Sequence, residues 1–317
     1  MKAVEFTGDA VKLLDQSALP HAEQWLELKS PAEVASAIKE MKVRGAPAIG
    51  VAAAYAMAVS DKPEQDAELL KSSRPTAVDL SHAVDYVLDM LQKGKSAAEA
   101  AAQWDRMNEE KCDKLSGHGA SLIDKGQIVL THCNTGFIAA NSYGTALGAI
   151  KRAHEQGKGI SVYACETRPR LQGALTSWEL LKAGVPHKVI CDSAAGSLMS
   201  EIDLVMVGAD RIASNGDTAN KIGTYALSVL AKEHKVPFYV LAPIFSFDAG
   251  IKSGEEVTIE ERDEKEVLEL QGKRIYPEGT HARNPAFDIT PAENITAFVN
   301  ENGIFRSTGE LWKSTKE

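Results

Sequence analysis

The stretch Leu204-Val205-Met206-Val207-Gly208-Ala209-Asp210-Arg211-Ile212, continuing as Asn215-Gly216-Asp217-Thr218-Ala219-Asn220-Lys221-Ile222-Gly223-Thr224-Tyr225, decides how the chain is read. Its opening apolar run stops at Gly208 and delivers a carboxylate, Asp210. A short apolar run closed by a glycine is the mark of a strand buried on both faces of a parallel sheet. A polar turn at Asn215-Gly216 follows, and a helical pattern is expected from near Thr218. Ligands of open parallel sheets sit beyond the carboxyl ends of the strands, so Asp210 stands where chemistry is expected. A carboxylate there also serves as a plain turn former or helix cap. Asn220-Lys221, expected at the helix start, would add an amide and a cation beside backbone N–H groups and form an anion-binding corner.

The same rhythm extends to both sides. Residues 127–132, 160–165, 188–191, 204–207 and 238–242 are short β-rich runs, with helical patterns at 137–155, 175–183 and 219–234 between most of them. This alternation predicts an α/β fold with a Rossmann-like parallel sheet. The Gly-x-Gly-x-x-Gly signature does not follow its first strand, which argues against a nicotinamide cofactor.

The strand ends carry chemistry-bearing residues. Thr131-His132-Cys133-Asn134-Thr135-Gly136 places Cys133 just before an expected helix, where a thiol has a lowered pKa or is simply buried and inert. Cys165-Glu166-Thr167-Arg168-Pro169-Arg170-Leu171-Gln172-Gly173 offers two arginines and a glutamine, suited to an oxyanion or hydroxyl-rich ligand, or else to a salt-bridged loop. Asp192 caps the next helix or bonds a ligand.

Toward the amino terminus, residues 1–14 alternate like one or two short strands, and Ser30-Pro31-Ala32-Glu33 opens a helix with Ser30 as its cap. In Val43-Arg44-Gly45-Ala46-Pro47-Ala48-Ile49-Gly50, Gly45 permits an unusual backbone angle and Pro47 suits a first helical turn. Arg44 and free backbone donors then meet at a helix start, a phosphate site; a tightly packed helix with Arg44 in a salt bridge fits the same spacing. Ser73-Arg74-Pro75-Thr76-Ala77-Val78 holds a second arginine at a stiff turn. Helices are expected at 80–93 and 96–115, with Trp104 and Met107 in the core. Ser116-Gly117-His118-Gly119 reads as a linker, dividing a mostly helical domain (residues 1–117) from a Rossmann-like catalytic domain (residues 118–317).

Composition sets the bounds. The 317 residues are 44% hydrophobic and 25% charged, with a net charge of −9. That balance argues against nucleic acid or an acidic membrane surface as partner. No stretch reaches the roughly 20 apolar residues of a membrane span, and no signal-peptide pattern opens the chain. Cys112, Cys133, Cys165 and Cys191 lack metal-ligand spacing, and three of them follow apolar runs as buried thiols do. A cytoplasmic protein without disulfides is expected. The acidic run 254–268 is expected as a solvated loop and helix without metal-ligand spacing. Pro291-Ala292-Glu293 is expected to begin a helix capped by Thr290, and the tail after Ser307 is polar.

Arg44-Gly45-Ala46-Pro47-Ala48-Ile49-Gly50, Ser73-Arg74-Pro75-Thr76-Ala77-Val78, Thr131-His132-Cys133-Asn134, Glu166-Thr167-Arg168-Pro169, the stretch from Gly208 to Tyr225, and Asn284-Pro285-Ala286-Phe287-Asp288-Ile289-Thr290-Pro291 together resemble the methylthioribose-1-phosphate isomerase family. The likeness runs in order from about Val43 to Ile304. That family is related to regulatory subunits of the initiation-factor exchange complex and to archaeal ribose-1,5-bisphosphate isomerases. The resemblance implies an aldose–ketose isomerase of methionine salvage, with Cys133 and Asp210 as catalytic residues. It implies Arg44, Gly45, Ala46, Arg74, Gln172, Asn220 and Lys221 as substrate-binding residues for a small sugar phosphate. It further implies no metal and no organic cofactor, a small helical amino-terminal domain packed on a Rossmann-like domain, and a homodimer.

Two departures bear on the substrate. The family's Gln-Gly-Ala-Arg-Leu-Thr-Ala-Trp run is one residue shorter at Gln172-Gly173-Ala174-Leu175-Thr176-Ser177-Trp178, and its Ser-Thr after the last main strand is replaced around Phe245-Ser246. A 5-deoxyribose-1-phosphate isomerase is therefore an alternative, as is a non-catalytic sugar-phosphate or nucleotide-binding module. Asp217-Thr218-Ala219-Asn220 resembles the bisphosphate isomerases less well. A sugar 1-phosphate is blocked at its anomeric oxygen, so its ring must open with the phosphate attached. An acid such as Asp210, kept protonated by a dry pocket, would protonate the ring oxygen, while Cys133 manages hydrogen movement from C2 to C1.

Overall fold

The computed structural model describes residues 2–74 and 78–314 of the chain. Their Cα atoms group into two compact units, Met1–Ser116 with Thr135–Gly148, and Gly117–Asn134 with Ala149–Glu317.

In the first unit, β1 (Val4–Phe6), β2 (Val11–Leu14) and β3 (Trp25–Leu28) form an antiparallel sheet in that order. The third strand has no fully buried residue, which is why Trp25-Leu26-Glu27-Leu28 carries a weak strand signal. Helix α1 (Pro31–Lys39) opens on a full capping box: the Glu33 N–H donates to Ser30 Oγ at 3.3 Å, and the Ser30 N–H donates to the Glu33 carboxylate at 3.1 Å. Helix α2 (Ala46–Ala58) is buried continuously from Ala48 to Met57, as an all-apolar helix must be. Helices α3 (Pro63–Ser73), α4 (Val78–Gln92) and α5 (Ala97–Ala120) follow. Trp104 is buried with its ring 5.4 Å from that of Tyr86, whereas Met107 is only half-buried.

Helix α5 continues through residues 116–119, so His118 is a helical residue and not part of a linker. Gly119 serves close packing: a Cβ there would lie 2.4 Å from Leu241 Cδ2. His118 Nδ1 sits 3.1 Å from the Asn300 carbonyl oxygen.

Residues 137–155 hold two helices rather than one, α6 (Phe137–Ala140) and α7 (Ala146–Glu155). The break is at Asn141, left-handed at φ 52°, a conformation asparagine tolerates at a helix end. Its buried side chain accepts the N–H groups of Ala3 and Val4 at 2.9 and 2.7 Å and donates to Asp105 at 3.1 Å. Gln16 Nε2 and Asn108 Nδ2 donate to the Ile138 and Ala140 carbonyls, each at 2.7 Å.

In the second unit the expected strands all form: β4 (Ile128–Thr131), β5 (Ser161–Cys165), β6 (His187–Ile190), β7 (Leu204–Val207) and, after β8 (Arg211–Ala213) and β9 (Thr218–Lys221), β10 (Phe238–Leu241). Helix α8 (Gln172–Lys182) follows β5, α9 (Ala195–Leu198) follows β6, and α10 (Thr224–His234) precedes β10. The remaining elements are β11 (Phe247–Asp248), α11 (Lys265–Leu268), β12 (Glu269–Leu270), β13 (Lys273–Arg274), β14 (Phe287–Thr290), β15 (Ala297–Asn300), β16 (Gly303–Phe305) and α12 (Thr308–Ser314). The main sheet runs β16-β15-β10-β7-β4-β5-β6, parallel except for β16. This is the mixed α/β fold with a parallel sheet, in the doubly wound order. Leu130, Val205, Val207, Phe238, Val240 and Phe298 are buried in one core cluster.

The helix expected at 219–234 forms only from Thr224, and the helix expected from Pro291 does not form. Thr218–Lys221 is β9: it pairs antiparallel with β8 across the Asn215-Gly216 turn, and with β14 on its other side, in a small sheet ordered β11-β8-β9-β14. Helix α10 therefore begins at Thr224, after Gly223 at φ 105°. Likewise Thr290 ends β14, Pro291 leads into a single 3-10 turn (Ala292–Asn294), and Phe298 lies in β15. Toward the carboxyl end, Leu311 of α12 is fully buried and anchors that helix.

All four cysteines are free. Cys112 and Cys165 are buried and Cys133 is half-buried, but Cys191 is exposed, because it follows the edge strand β6. Among the described residues no helix is long and apolar enough to cross a membrane.

Candidate active site

The main sheet changes direction of growth between β4 and β7. From β4 the chain adds β5 and β6 on one side, then returns to place β7 on the other, with Leu130 opposite Val205. At such a switch point the loops diverge and leave a crevice beyond the strand ends. Cys133 lies just past β4 and Asp210 just past β7.

Cys133 is left-handed at φ 63°. Its N–H donates to Thr167 Oγ1 at 2.9 Å, and its carbonyl accepts the Thr176 hydroxyl at 2.7 Å. As expected, Cys133 precedes a helix, α6, which starts at Phe137 and makes a single turn. Asp210 donates its N–H to the Ala219 carbonyl at 2.9 Å, and its side chain is exposed instead of desolvated.

Beside Cys133, His132 is buried with Nε2 2.9 Å from the Ile222 carbonyl oxygen, so that nitrogen carries the proton. Burial pushes its pKa below the ordinary histidine value, and the imidazole is neutral near pH 7. Asp192 accepts the Thr167 N–H at 2.9 Å on one oxygen and the Arg168 N–H at 2.8 Å on the other, so it braces the neighbouring loop instead of capping a helix. His132, Cys165 and Asp192 bring donor atoms of metal-binding type within 4.8 Å of one another. Burial, reinforced by the carboxylates of Asp192 and Glu166, pushes the Cys165 thiol up to about 12. The three stand at the carboxyl ends of the neighbouring strands β4, β5 and β6.

The loop after β5 resolves the open reading of its arginines. Arg168 donates to the Val267 carbonyl at 2.9 Å and Arg170 to Glu266 at 2.7 Å, so both tie down the acidic segment. Gln172 differs. It is 7% exposed, and its Oε1 is buried without a hydrogen-bond partner. A buried carbonyl left without a donor costs about 1–3 kcal/mol, which a ligand hydroxyl would recover. Its neighbour Gly173 fits because a Cβ there would lie 2.1 Å from the Cys165 carbonyl oxygen.

Asn220 and Lys221 lie on strand β9 and not at a helix start, so the expected anion corner of helical N–H groups does not form there. Asn220 Nδ2 donates to Thr224 Oγ1 at 3.0 Å. Lys221 Nζ donates to the Ala286 carbonyl at 2.9 Å and stands 4.4 Å from the centre of the Phe287 ring. At the true start of α10, Asp288 accepts the N–H groups of Gly223 and Tyr225 at 2.7 and 3.1 Å. Its pKa is pushed up to about 6 by burial, against those bonds and the Lys221 charge. Asp288 was not among the expected site residues. The signal was its place in Asn284-Pro285-Ala286-Phe287-Asp288.

In the first unit, Arg44 is half-buried and its Nη2 donates to the Gln16 carbonyl at 3.2 Å. Gly45 holds φ 90°, as its position required, and a Cβ there would sit 2.1 Å from the Ala139 carbonyl oxygen. Ala46 is the first residue of α2, a helix of 13 residues whose amino end favours an anion. Arg74 follows α3 at φ −154°, ψ 80°, outside helical geometry. Residues 75–77 of its motif lie outside the described residues.

Residues 42–307 match the Initiation factor 2 subunit family. A methylthioribose-1-phosphate isomerase of Aquifex aeolicus (strain VF5) is 52% identical over 314 residues, which cover 96% of this chain and 69% of that protein. The structure of 5-methylthioribose 1-phosphate isomerase from Pyrococcus horikoshii OT3 matches with a TM-score of 0.92 and 36% identity, covering 99% of this chain and 96% of that one. A structure described as translation initiation factor eIF-2B, subunit delta, from A. fulgidus matches with a TM-score of 0.92 and 39% identity over 100% of both chains. The chain belongs to the Initiation factor 2 subunit family and, within it, to the methylthioribose-1-phosphate isomerase family.

Proposed function

We propose that this chain is an aldose–ketose isomerase that converts 5-methylthioribose 1-phosphate to 5-methylthioribulose 1-phosphate in methionine salvage. What carries the reading is the pairing of β4 with β7, which sets the strand ends bearing Cys133 and Asp210 side by side at the switch point. The identity to isomerases over nearly the whole chain supports the substrate.

In this proposal Asp210 is the acid that protonates the ring oxygen as the C1–O bond opens. The hydrogen on C2 then moves to C1 and the C2 hydroxyl loses its proton, which leaves the ketone at C2 and the phosphate on C1. Cys133 manages or stabilises that transfer. Since Asp210 is exposed in the chain alone, bound substrate has to supply the desolvation that raises its pKa. Arg44 and Arg74, with Gly45 and Ala46 at the α2 amino end, and Asn220 and Lys221 hold the sugar phosphate; Gln172 takes a sugar hydroxyl on its open Oε1. The two units act as a small helical domain and a Rossmann-like catalytic domain of a cytoplasmic homodimer. The exposed Leu181 and Val189 are apolar surface suited to a second copy.

Purified protein incubated with methylthioribose 1-phosphate should yield the ketose, followed by NMR of the C1 and C2 signals. A second substrate, 5-deoxyribose 1-phosphate, is favoured by the shortened run Gln172–Trp178, which lies in α8, and belongs in the same panel. No ketose from either sugar would overturn the isomerase reading in favour of a binding module.

A further inference from the structure

We infer that Thr167 is a positioning residue for Cys133 and that Asp192 holds Thr167 in place. The inference rests on the reading of Cys133 as the reactive thiol.

Cys133 and Thr167 both take left-handed backbone angles, φ 63° and 59°, at the ends of neighbouring strands β4 and β5. Residues with a Cβ disfavour that region, so specific bonds must hold them there. Thr167 is fully buried, and its hydroxyl oxygen accepts the Cys133 N–H at 2.9 Å. Its hydroxyl hydrogen has two acceptors, the Cys165 carbonyl at 3.1 Å and His132 Nδ1 at 3.4 Å. His132 Nδ1 can only accept, because Nε2 donates to the Ile222 carbonyl and burial keeps the ring neutral. The hydroxyl hydrogen is thereby drawn away from Cys133, and a lone pair is left facing the cysteine N–H.

Thr167 is fixed in turn from β6. Asp192 accepts the Thr167 and Arg168 N–H groups, one on each oxygen. Three adjacent strand ends are thus tied in series, Asp192 to Thr167 to Cys133. With its N–H held by Thr167 and its carbonyl by Thr176, Cys133 keeps both peptide planes set, and the direction of its Cα–Cβ bond follows. None of these three partners has to touch substrate to set where Sγ stands.

The test compares Thr167→Val, Thr167→Ser and Asp192→Asn with wild type. It measures kcat and KM for methylthioribose 1-phosphate, and the alkylation rate of each cysteine by iodoacetamide across pH, resolved by peptide mass spectrometry. Exposed Cys191 is the internal reference for the Thr167 variants, and buried Cys112, remote in sequence from Asp192, is the reference for Asp192→Asn. Thr167→Val should lower kcat at least ~10-fold with KM within about threefold, since misplacement acts on the reacting geometry and not on binding. The Cys133 alkylation profile should shift while that of Cys191 stays in place. Serine restores the hydroxyl and should restore kcat to within about threefold. Wild-type kcat in Thr167→Val, or equal losses in the valine and serine variants with Cys133 alkylation unchanged, would overturn the inference. If Thr167→Val does not fold, an unshifted Cys133 profile in Asp192→Asn overturns it and a shifted one supports it. Full turnover in Cys133→Ser would instead refute the catalytic reading of Cys133, and the alkylation arm separates the two failures.

Discussion

Thr131 and Met206 face each other in parallel register, and the Thr131 hydroxyl donates to the Met206 carbonyl at 2.8 Å. Thr131 is buried, so this bond satisfies a hydroxyl that water does not reach. It fastens β4 to β7 just before the two strands release Cys133 and Asp210. The proposed chemistry depends on that seam, and the predictions start from its two outgoing residues.

Asp210→Asn keeps the shape of the side chain and removes its transferable proton. Turnover should fall at least ~10²-fold. Because Asp210 is exposed, the melting temperature should move by no more than about 2 °C, as for surface substitutions generally. Rate and thermal melting measured on one preparation check both halves, and near-wild-type turnover would remove Asp210 from the mechanism.

Cys133→Gly separates the backbone from the thiol. Glycine relieves a left-handed residue of about 1–2 kcal/mol of strain, and its greater freedom in the unfolded chain offsets part of that gain. Stability should therefore stay within about 1 kcal/mol of wild type while turnover is lost. Denaturant unfolding beside a steady-state assay gives the answer, and retention of a tenth of the activity would count against a reactive thiol.

Arg44→Ala and Arg74→Ala should each raise KM about tenfold or more, with smaller effects on kcat, if they hold phosphate. Arg74→Lys should recover only part of the loss, since a point charge replaces a two-pronged donor. Competition by inorganic phosphate, measured on the same variants, should weaken in parallel. Unchanged KM values would assign both arginines to packing.

Gln172→Leu removes a buried carbonyl that has no partner in the folded chain. The variant should be no less stable than wild type, yet bind substrate about tenfold more weakly, because the acceptor for a sugar hydroxyl is gone. A fall in melting temperature with KM unchanged would make Gln172 a structural residue.

Asp288 gives a pH signature. Its folded pKa of about 6 lies above the ordinary 3.8, so the folded state holds the extra proton between these values. The stabilisation of the protonated group is complete below about pH 4 and is lost as pH rises through about 6. Asp288→Asn should flatten this part of the stability–pH curve and keep one acceptor for the α10 N–H groups. Chemical denaturation from pH 4 to 7 reads it, and identical slopes in the two proteins would contradict the assignment.

What was legible in the sequence was local or strongly apolar. The Ser30–Glu33 capping box and the turn at Gly45 are encoded within a few residues, and β4, β5, β7 and β10 announce themselves as apolar runs. Strand β9 does not. Thr218-Ala219-Asn220-Lys221 has no alternating pattern, and it is extended because Asn220 pairs with Asp288, far along the chain. The arginines of the β5 loop were open for the same reason, since Glu266 and Val267 settle them from nearly 100 residues away. Cys133 was legible as a residue and Thr167 as its clamp was not, because a threonine hydroxyl gains meaning only from the strand end set beside it.

Asn141 also bears on how the chain is made. It accepts the N–H groups of Ala3 and Val4, 138 and 137 positions upstream, from a segment that belongs to the first unit although β4 of the second precedes it in sequence. A ribosome adding about 5–20 residues per second delivers that segment seconds after the first strands have emerged. Until then two N–H groups of the amino-terminal meander lack the one buried oxygen that accepts them both, and Asp105 lacks its asparagine donor. A fragment ending at Ser116 would carry the same vacancy permanently, so the two units mature interleaved and cannot be separated by a single cut.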